Sequence, residues 1–297
     1  MKVLMSGSSG LIGSALRKSL QSAGEEVIRL VRSDARGADE VRWDPQAGYI
    51  DQAAIEGMDA IVHLAAESIA DGRWTASKKS RIRDTRTHGT QLLCQAVAKT
   101  SKKPSVLVSA SAVGFYGDRG DEVLTESSSA GSGFLAEVCR DWEAATAPAA
   151  EAGIRVVTLR IGVVLSGAGG ALAKMLPPFR LGLGGRLGSG RQYMSWIVID
   201  DLVAAIRFGL AKEQLSGPVN MVSPNPVTNA EFTRAIGKVI SRPTLFPVPA
   251  FALHAAFGEM ADEVLLSGAR ALPQKLQAAG FKFDFTTLES GLRHVLK

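Results

Sequence analysis

Two cysteines in 297 residues cannot form a stabilising disulfide framework, and Cys94 and Cys139 both fall within helical patterns. Nothing arranges them, or any other residues, as a metal site. No apolar stretch approaches the roughly 20 residues that cross a bilayer, so no membrane partner is expected. The first residues already read as a strand, so no signal segment is expected and a reducing, cytoplasmic setting is the simplest one. Acidic residues are in mild deficit, 29 against 34 Lys and Arg, for a net charge of +5. Lys78, Lys79, Arg81, Arg83 and Arg86 do cluster, but no aromatic-studded strand accompanies them. A solvated helix face therefore accounts for most of the five, and no nucleic-acid partner is expected. The surplus also suits a protein that binds an anionic small molecule. What remains, 46% hydrophobic and 21% charged residues, is ordinary for a globular chain with a large core.

The informative stretch lies at the start. A short apolar run, Lys2–Met5, leads into Gly7-Ser8-Ser9-Gly10-Leu11-Ile12-Gly13, then an amphipathic run to Ala23, Gly24, and a second apolar run to Val31. Strand, glycine turn, helix, strand is the context that turns a weak glycine pattern into a dinucleotide-binding fingerprint. Gly7 allows the turn, Gly10 the approach of a pyrophosphate, and Gly13 close packing of helix on sheet. The free N–H groups at Ser9, Leu11 and Ile12 would meet the phosphates. An NAD site carries an Asp or Glu about 20 residues beyond the glycines to bond the ribose 2′-OH. Here the second strand ends Leu30-Val31-Arg32-Ser33. A guanidinium suits a 2′-phosphate through two charge-assisted bonds, and Ser33 and Arg36 can share that task. NADP(H) is the expected cofactor. Asp34 is the competing residue, because a shifted loop would place it on the ribose.

Strand and helix patterns then alternate. Asp59–Ala65 reads as a buried parallel strand, about Thr75 to Lys99 as a long helix, and Ser105–Ser109 as a strand. Phe134–Ala152 reads as a helix closed by Gly153, and Ile154–Leu159 as the next strand. The fold class is α/β, a Rossmann-like doubly wound parallel sheet. After Arg160 the pattern changes: Ser166–Ser189 is glycine-rich with Pro177-Pro178 inside, and Thr228-Asn229-Ala230-Glu231 has capping-box spacing. The expected organisation is a cofactor domain over 1–165, completed by about 196–222. Segments 166–195 and 223–297 would form a smaller, mostly helical substrate-side lobe.

The glycine pattern, His63-Leu64-Ala65-Ala66, Gly89-Thr90 with Leu92-Leu93, Thr125-Glu126 and Asp200-Asp201 together resemble the extended short-chain dehydrogenase/reductase superfamily. Arg42-Trp43-Asp44, Arg73-Trp74, Thr85-Arg86, Pro178 to Gly185, Gly188-Ser189-Gly190 and Pro273 with Lys275-Leu276 resemble its atypical "epimerase family" branch, whose members carry a helical C-terminal extension. The resemblance implies NADP-type binding, with Leu64, Ala65 and Ala66 along the cofactor, Arg86 turned toward its cleft, and Ser109 nearby. Monomer and homodimer are both compatible with it.

The chemical centre departs from the superfamily's Tyr-x-x-x-Lys pair, which tunes a phenol for proton exchange. Counting back from Glu143 puts Phe134 at the Tyr position and Val138 at the Lys position, and neither titrates. Only the hydroxyl that steadies the reacting oxygen survives, as Ser109 or Ser111, with Ser111 favoured by its spacing to Tyr116-Gly117. Tyr116 is the candidate replacement acid, with Glu67 and His88 behind it. Met194 stands where sugar-nucleotide epimerases place a diphosphate-binding Arg, so such a substrate is not expected. Phe115, Tyr116, Tyr193 and Trp196 are candidate aromatic lining. Two readings compete: an NADP(H)-dependent oxidoreductase or epimerase-like enzyme on a small carbonyl or hydroxyl substrate, and an NADP(H) sensor that has lost catalysis. A scaffold with a structural nucleotide ranks third.

Overall fold

The computed structural model describes residues 1–297. The first half is built as β1 (Lys2–Ser6), α1 (Leu11–Ser22), β2 (Glu26–Val31), β3 (Glu40–Asp44), β4 (Tyr49–Ile50), β5 (Ala60–His63), α2 (Ala76–Ala98) and β6 (Val106–Ala112). There follow a 3-10 turn (Val113–Tyr116), β7 (Val123–Leu124), α3 (Phe134–Ala144), α4 (Ala147–Glu151), β8 (Arg155–Ile161) and β9 (Val163–Leu165). Beyond these come α5 (Gly170–Arg180), β10 (Tyr193–Met194), β11 (Trp196–Val198), α6 (Ile199–Ala211) and β12 (Gly217–Met221). The chain closes with β13 (Val227–Thr228), α7 (Asn229–Val239), α8 (Ala250–Phe257), a π-helical turn (Ala261–Leu265), β14 (Arg270–Ala271), α9 (Gln274–Ala278) and α10 (Leu288–Val295).

One sheet of eight strands, ordered β12-β8-β6-β5-β1-β2-β3-β4, carries the fold, and every pair in it is parallel except β3–β4. Its central strands are apolar on both faces because helices cover both, the condition a parallel sheet requires. Leu4, Ile28, Ile61 and Leu107 point into one layer with Leu93 and Val97 of α2. Val3, Met5, Val62 and Val108 point into the other with Leu16 and Leu20 of α1 and Leu202 and Ile206 of α6. Each such side chain contributes about 1.5–3 kcal/mol by leaving water. The strand order reverses between β1 and β5, so the crevice beyond their carboxyl ends is the ligand position of this architecture.

The long helix expected over 134–152 is two helices. Pro148 lies in the first turn of α4, where its missing N–H costs nothing, but it cannot continue α3. The segment 196–222 serves two cores: Ile197 and Leu202 pack under the large sheet, whereas Trp196 and Val198 pack with Leu172, Phe232, Ile236 and Leu292 of α5, α7 and α10. The capping box is present, with Thr228 Oγ1 accepting from the Glu231 N–H while Glu231 accepts from the Thr228 N–H at 2.7 Å.

Candidate functional site

Gly7 leaves β1 with φ +68°, and a Cβ there would lie 2.7 Å from the backbone of Leu64 and Ala65. Gly13 presses α1 onto that turn so closely that a Cβ would stand 2.0 Å from the Gly7 carbonyl oxygen. Gly10, the N-cap residue, makes no side-chain cap, and its added Cβ would meet only the Gly7 oxygen at 3.4 Å. The first-turn N–H groups of α1 thus open on the crevice without an internal acceptor. Ser9 and Gly10 are exposed, and Leu11 and Ile12 are half-buried beside them. On the opposite wall the Leu64 and Ala65 N–H groups donate to Ser6 Oγ at 3.2 and 3.3 Å, and Ala66 is exposed.

The end of β2 separates the two candidate ribose readers. Asp34 pairs with Arg42 of β3 at 3.1 Å, and the Arg36 N–H donates to Glu40. Arg32 and Ser33 are exposed, and Arg32 makes no ion pair with any carboxylate. The structure therefore leaves a guanidinium beside the crevice and gives the nearby carboxylate to another arginine.

A belt of polar side chains crosses the sheet near the carboxyl ends, under α2 and α3. Ser6, His63 and Ser109 are register partners on β1, β5 and β6, and Ser111, Arg160 and Asn220 on β6, β8 and β12. Ser6 Oγ lies 2.6 Å from His63 Nδ1, and His63 Nε2 lies 3.0 Å from Thr90 Oγ1, which also accepts from Trp142 Nε1. Burial holds the His63 pKa down at about 4, so the ring is neutral. Ser109 is wholly buried between its neighbours, and its Oγ has no hydrogen-bond partner.

Ser111 donates to Glu143 Oε1 of α3 at 2.8 Å, and Arg160 grips the same carboxylate through Nε and a terminal nitrogen at 2.9 and 2.8 Å. Glu143 and Arg160 were not singled out by the sequence analysis. Their signal is contextual, an acid on one helix and a base on the neighbouring strand, and a linear pattern does not show that they meet. Tyr116 departs from its expected role as a proton-exchanging group. It is fully buried, lies 2.7 Å from Asn220 Oδ1 and 2.9 Å from the Thr125 carbonyl, and accepts from Arg160 at 3.0 Å. Burial raises its pKa, against the pull of Arg160. Its hydroxyl is a structural tie. Trp196, expected as cleft lining, is likewise wholly buried in the smaller core.

Arg86 lies one helical turn before Thr90 on α2, nearer the carboxyl ends of the strands. Its guanidinium stacks over Trp142 at 5.0 Å and donates to the Ile82 carbonyl, yet it pairs with no carboxylate. Burial lowers its pKa, the mark of a cation whose water has been replaced without a full counter-charge. Glu67 is committed to the buried Lys78 at 2.8 Å, which holds its carboxyl below the usual range, and His88 is exposed on the far side of the helix.

Phe134, at the expected Tyr position, packs edge-on against Trp74 at 5.3 Å with Lys79 over its ring at 4.5 Å, while Val138 is buried. Glu263 has no signal in the linear sequence, because its partners lie 129 and 128 residues away. From the π-helical turn its two carboxylate oxygens accept from the N–H groups of Phe134 and Leu135 at 3.0 and 3.1 Å, so the C-terminal lobe caps α3. Met194 is half-buried, and Arg180, Arg186 and Arg191 are exposed.

The glycine cradle, the desolvated Arg86 cation and the unpaired Arg32 fit a phosphorylated dinucleotide. Comparison with known proteins agrees. A family model described as "NAD dependent epimerase/dehydratase family" matches residues 3–222, and a domain of unknown function matches 248–295. An epimerase family protein of Mycobacterium tuberculosis is 50% identical over 290 residues, covering 98% of this chain and 96% of that one. The crystal structure of human epimerase family protein SDR39U1 with NADPH superposes with a TM-score of 0.91 at 33% identity, over 99% of both chains. A Thermus thermophilus UDP-glucose 4-epimerase in complex with NAD has a TM-score of 0.78 at 20% identity, covering 100% of this chain and 98% of that one, a likeness of fold.

Proposed function

The chain belongs to the NAD-dependent epimerase/dehydratase family, and on that premise we propose that it is an NADP(H)-dependent oxidoreductase or epimerase-like enzyme acting on a small hydroxyl or carbonyl compound. The observation that carries the cofactor reading is the pairing at the end of β2, with Asp34 on Arg42 and Arg32 free. The NADPH in the human relative's structure supports it. Gly7, Ser9, Gly10, Leu11, Ile12 and Gly13 would receive the diphosphate, Arg32 and Ser33 the 2′-phosphate, and Leu64, Ala65 and Ala66 the opposite edge. Arg86 would supply the desolvated positive charge. Ser109, one register step below Ser111, would meet the bound ligand only through its backbone.

A bound nicotinamide supplies hydride chemistry, and the chain's own residues must then orient the substrate and handle its proton. Ser111 is itself buried, 3% exposed, and gives its hydrogen to Glu143, which leaves its oxygen as an acceptor for a substrate that reaches the end of β6. In the oxidising direction a substrate hydroxyl would donate to Ser111 Oγ, its proton passing to the serine oxygen as the serine's own hydrogen moves on to the Glu143 carboxylate. Arg160 holds the Glu143 carboxylate fixed behind it. Such a site works by positioning rather than by a tuned phenol.

The test is the change in absorbance of the reduced nicotinamide over a broad panel of carbonyl compounds. Turnover that falls at least a hundredfold in Ser111→Ala, with cofactor binding unchanged, is the expected result. The missing Tyr and Lys favour the second reading, a non-catalytic NADP(H) sensor. Saturable binding with no turnover across the panel would select it.

A further inference from the structure

The two turns that carry the smaller lobe's outer edge run side by side. Arg242 Nε donates to the Arg180 carbonyl at 3.1 Å, the Val248 N–H donates to the Arg186 carbonyl at 2.8 Å, and Leu187 bridges Val248. Along this edge large apolar side chains stand in solvent: Leu181 is 75% exposed, Leu183 60%, Leu245 77%, Phe246 59% and, at the start of α8, Phe251 75%. Pro243, Pro247 and Pro249 interrupt the same stretch, each with its own φ fixed by the ring. Isolated exposed leucines are unremarkable in a soluble protein, but five on adjoining turns form a patch.

The unpaired charge on these two turns is positive. No acidic residue occurs between Glu151 and Asp200, nor between Glu231 and Glu259, the two stretches that build this edge. Lys174 and Lys238 in them are paired with Asp71 and Glu289 from elsewhere. Arg180, Arg186 and Arg242 are exposed and pair with no carboxylate. A two-fold contact between copies of this chain would set these guanidiniums against their own counterparts, which disfavours self-association through this face.

We propose that this apolar, arginine-flanked edge docks on an anionic lipid bilayer surface. Leucine and phenylalanine tips inserted to the level of the acyl boundary, with guanidiniums at the headgroups, are what an interfacial site needs, and a bilayer demands no matching pockets for tips on separate turns. Such a peripheral surface needs no spanning segment, and it stands against the expectation of no membrane partner. Indeed no helix is long and apolar enough to cross a membrane.

Flotation of the full chain with vesicles tests this, using phosphatidylcholine alone and with phosphatidylglycerol. The expected result is binding to the anionic vesicles only, weakened by raising salt from 0.1 to 0.5 M. Phe246→Ser and Leu183→Ser should each lower the partition about tenfold, and Arg242→Gln about fivefold. The thermal shift produced by NADPH in each variant verifies the fold independently of lipid. Absence of binding to anionic vesicles, equal binding to neutral ones, or binding that survives the serine substitutions would overturn the proposal. Concentration-dependent dimerisation abolished by the same substitutions would overturn it too, in favour of a second copy on this face.

Discussion

Arg32 and Asp34 stand two residues apart at the end of β2, and their different pairings carry the proposed preference for NADP(H). Removing Arg32 takes away charged hydrogen bonds to a 2′-phosphate. Arg32→Ala should weaken NADPH binding by about 1.5–3 kcal/mol and leave NADH nearly unchanged. Equal losses for both, measured by fluorescence titration, would remove Arg32 from that role. His63 gives a prediction about stability. Its folded pKa of about 4 lies below the unfolded 6.5, so the unfolded chain binds the extra proton between those values. Its contribution is complete above pH 6.5 and lost as pH falls toward 4, by about 3 kcal/mol. Urea unfolding across that range should show this slope in the wild type and a flatter one in His63→Gln. Residues that act through the backbone were legible in the sequence, as Gly7 and Gly13 show, because their spacing encodes the turn. Tyr116 and Trp196 were misplaced because burial by distant parts of the chain leaves no mark on a residue's sequence neighbours.

Among the elements, β1, α1, β2, β5, α2 and β6 follow from hydrophobic period and glycine punctuation. Strand β3, between β2 and β4, is not marked by the hydrophobic pattern, although its Arg42 pairs with Asp34. The break between α3 and α4 was announced by Pro148 and overridden by the amphipathic run around it. Glu263 was invisible because it reaches α3 across more than a hundred residues of chain. Its carboxylate satisfies two N–H groups and faces the positive end of the helix. Glu263→Ala should cost about 1–2 kcal/mol of stability and loosen Phe134 and Trp74 at the crevice. Chemical denaturation and the tryptophan emission report the two effects separately. An unchanged midpoint would show that water replaces the cap at no cost.

At the scale of the whole molecule, one sheet sets a crevice at its strand-order reversal, beyond the carboxyl ends of β1 and β5. The polar belt from Ser6 to Asn220 fixes that end of the sheet and places Ser111 next to an immobile carboxylate. A ligand that binds only this folded arrangement stabilises it: at a hundredfold excess over Kd, NADPH should add about 2.7 kcal/mol to unfolding. A melting temperature indifferent to NADPH would speak against occupancy of the crevice. The most direct test is calorimetric titration of the purified protein with NADPH and NADH side by side. Saturable binding of NADPH at a Kd at least tenfold below that of NADH is the predicted result, whereas no saturation with either, or equal affinity for both, would contradict the account.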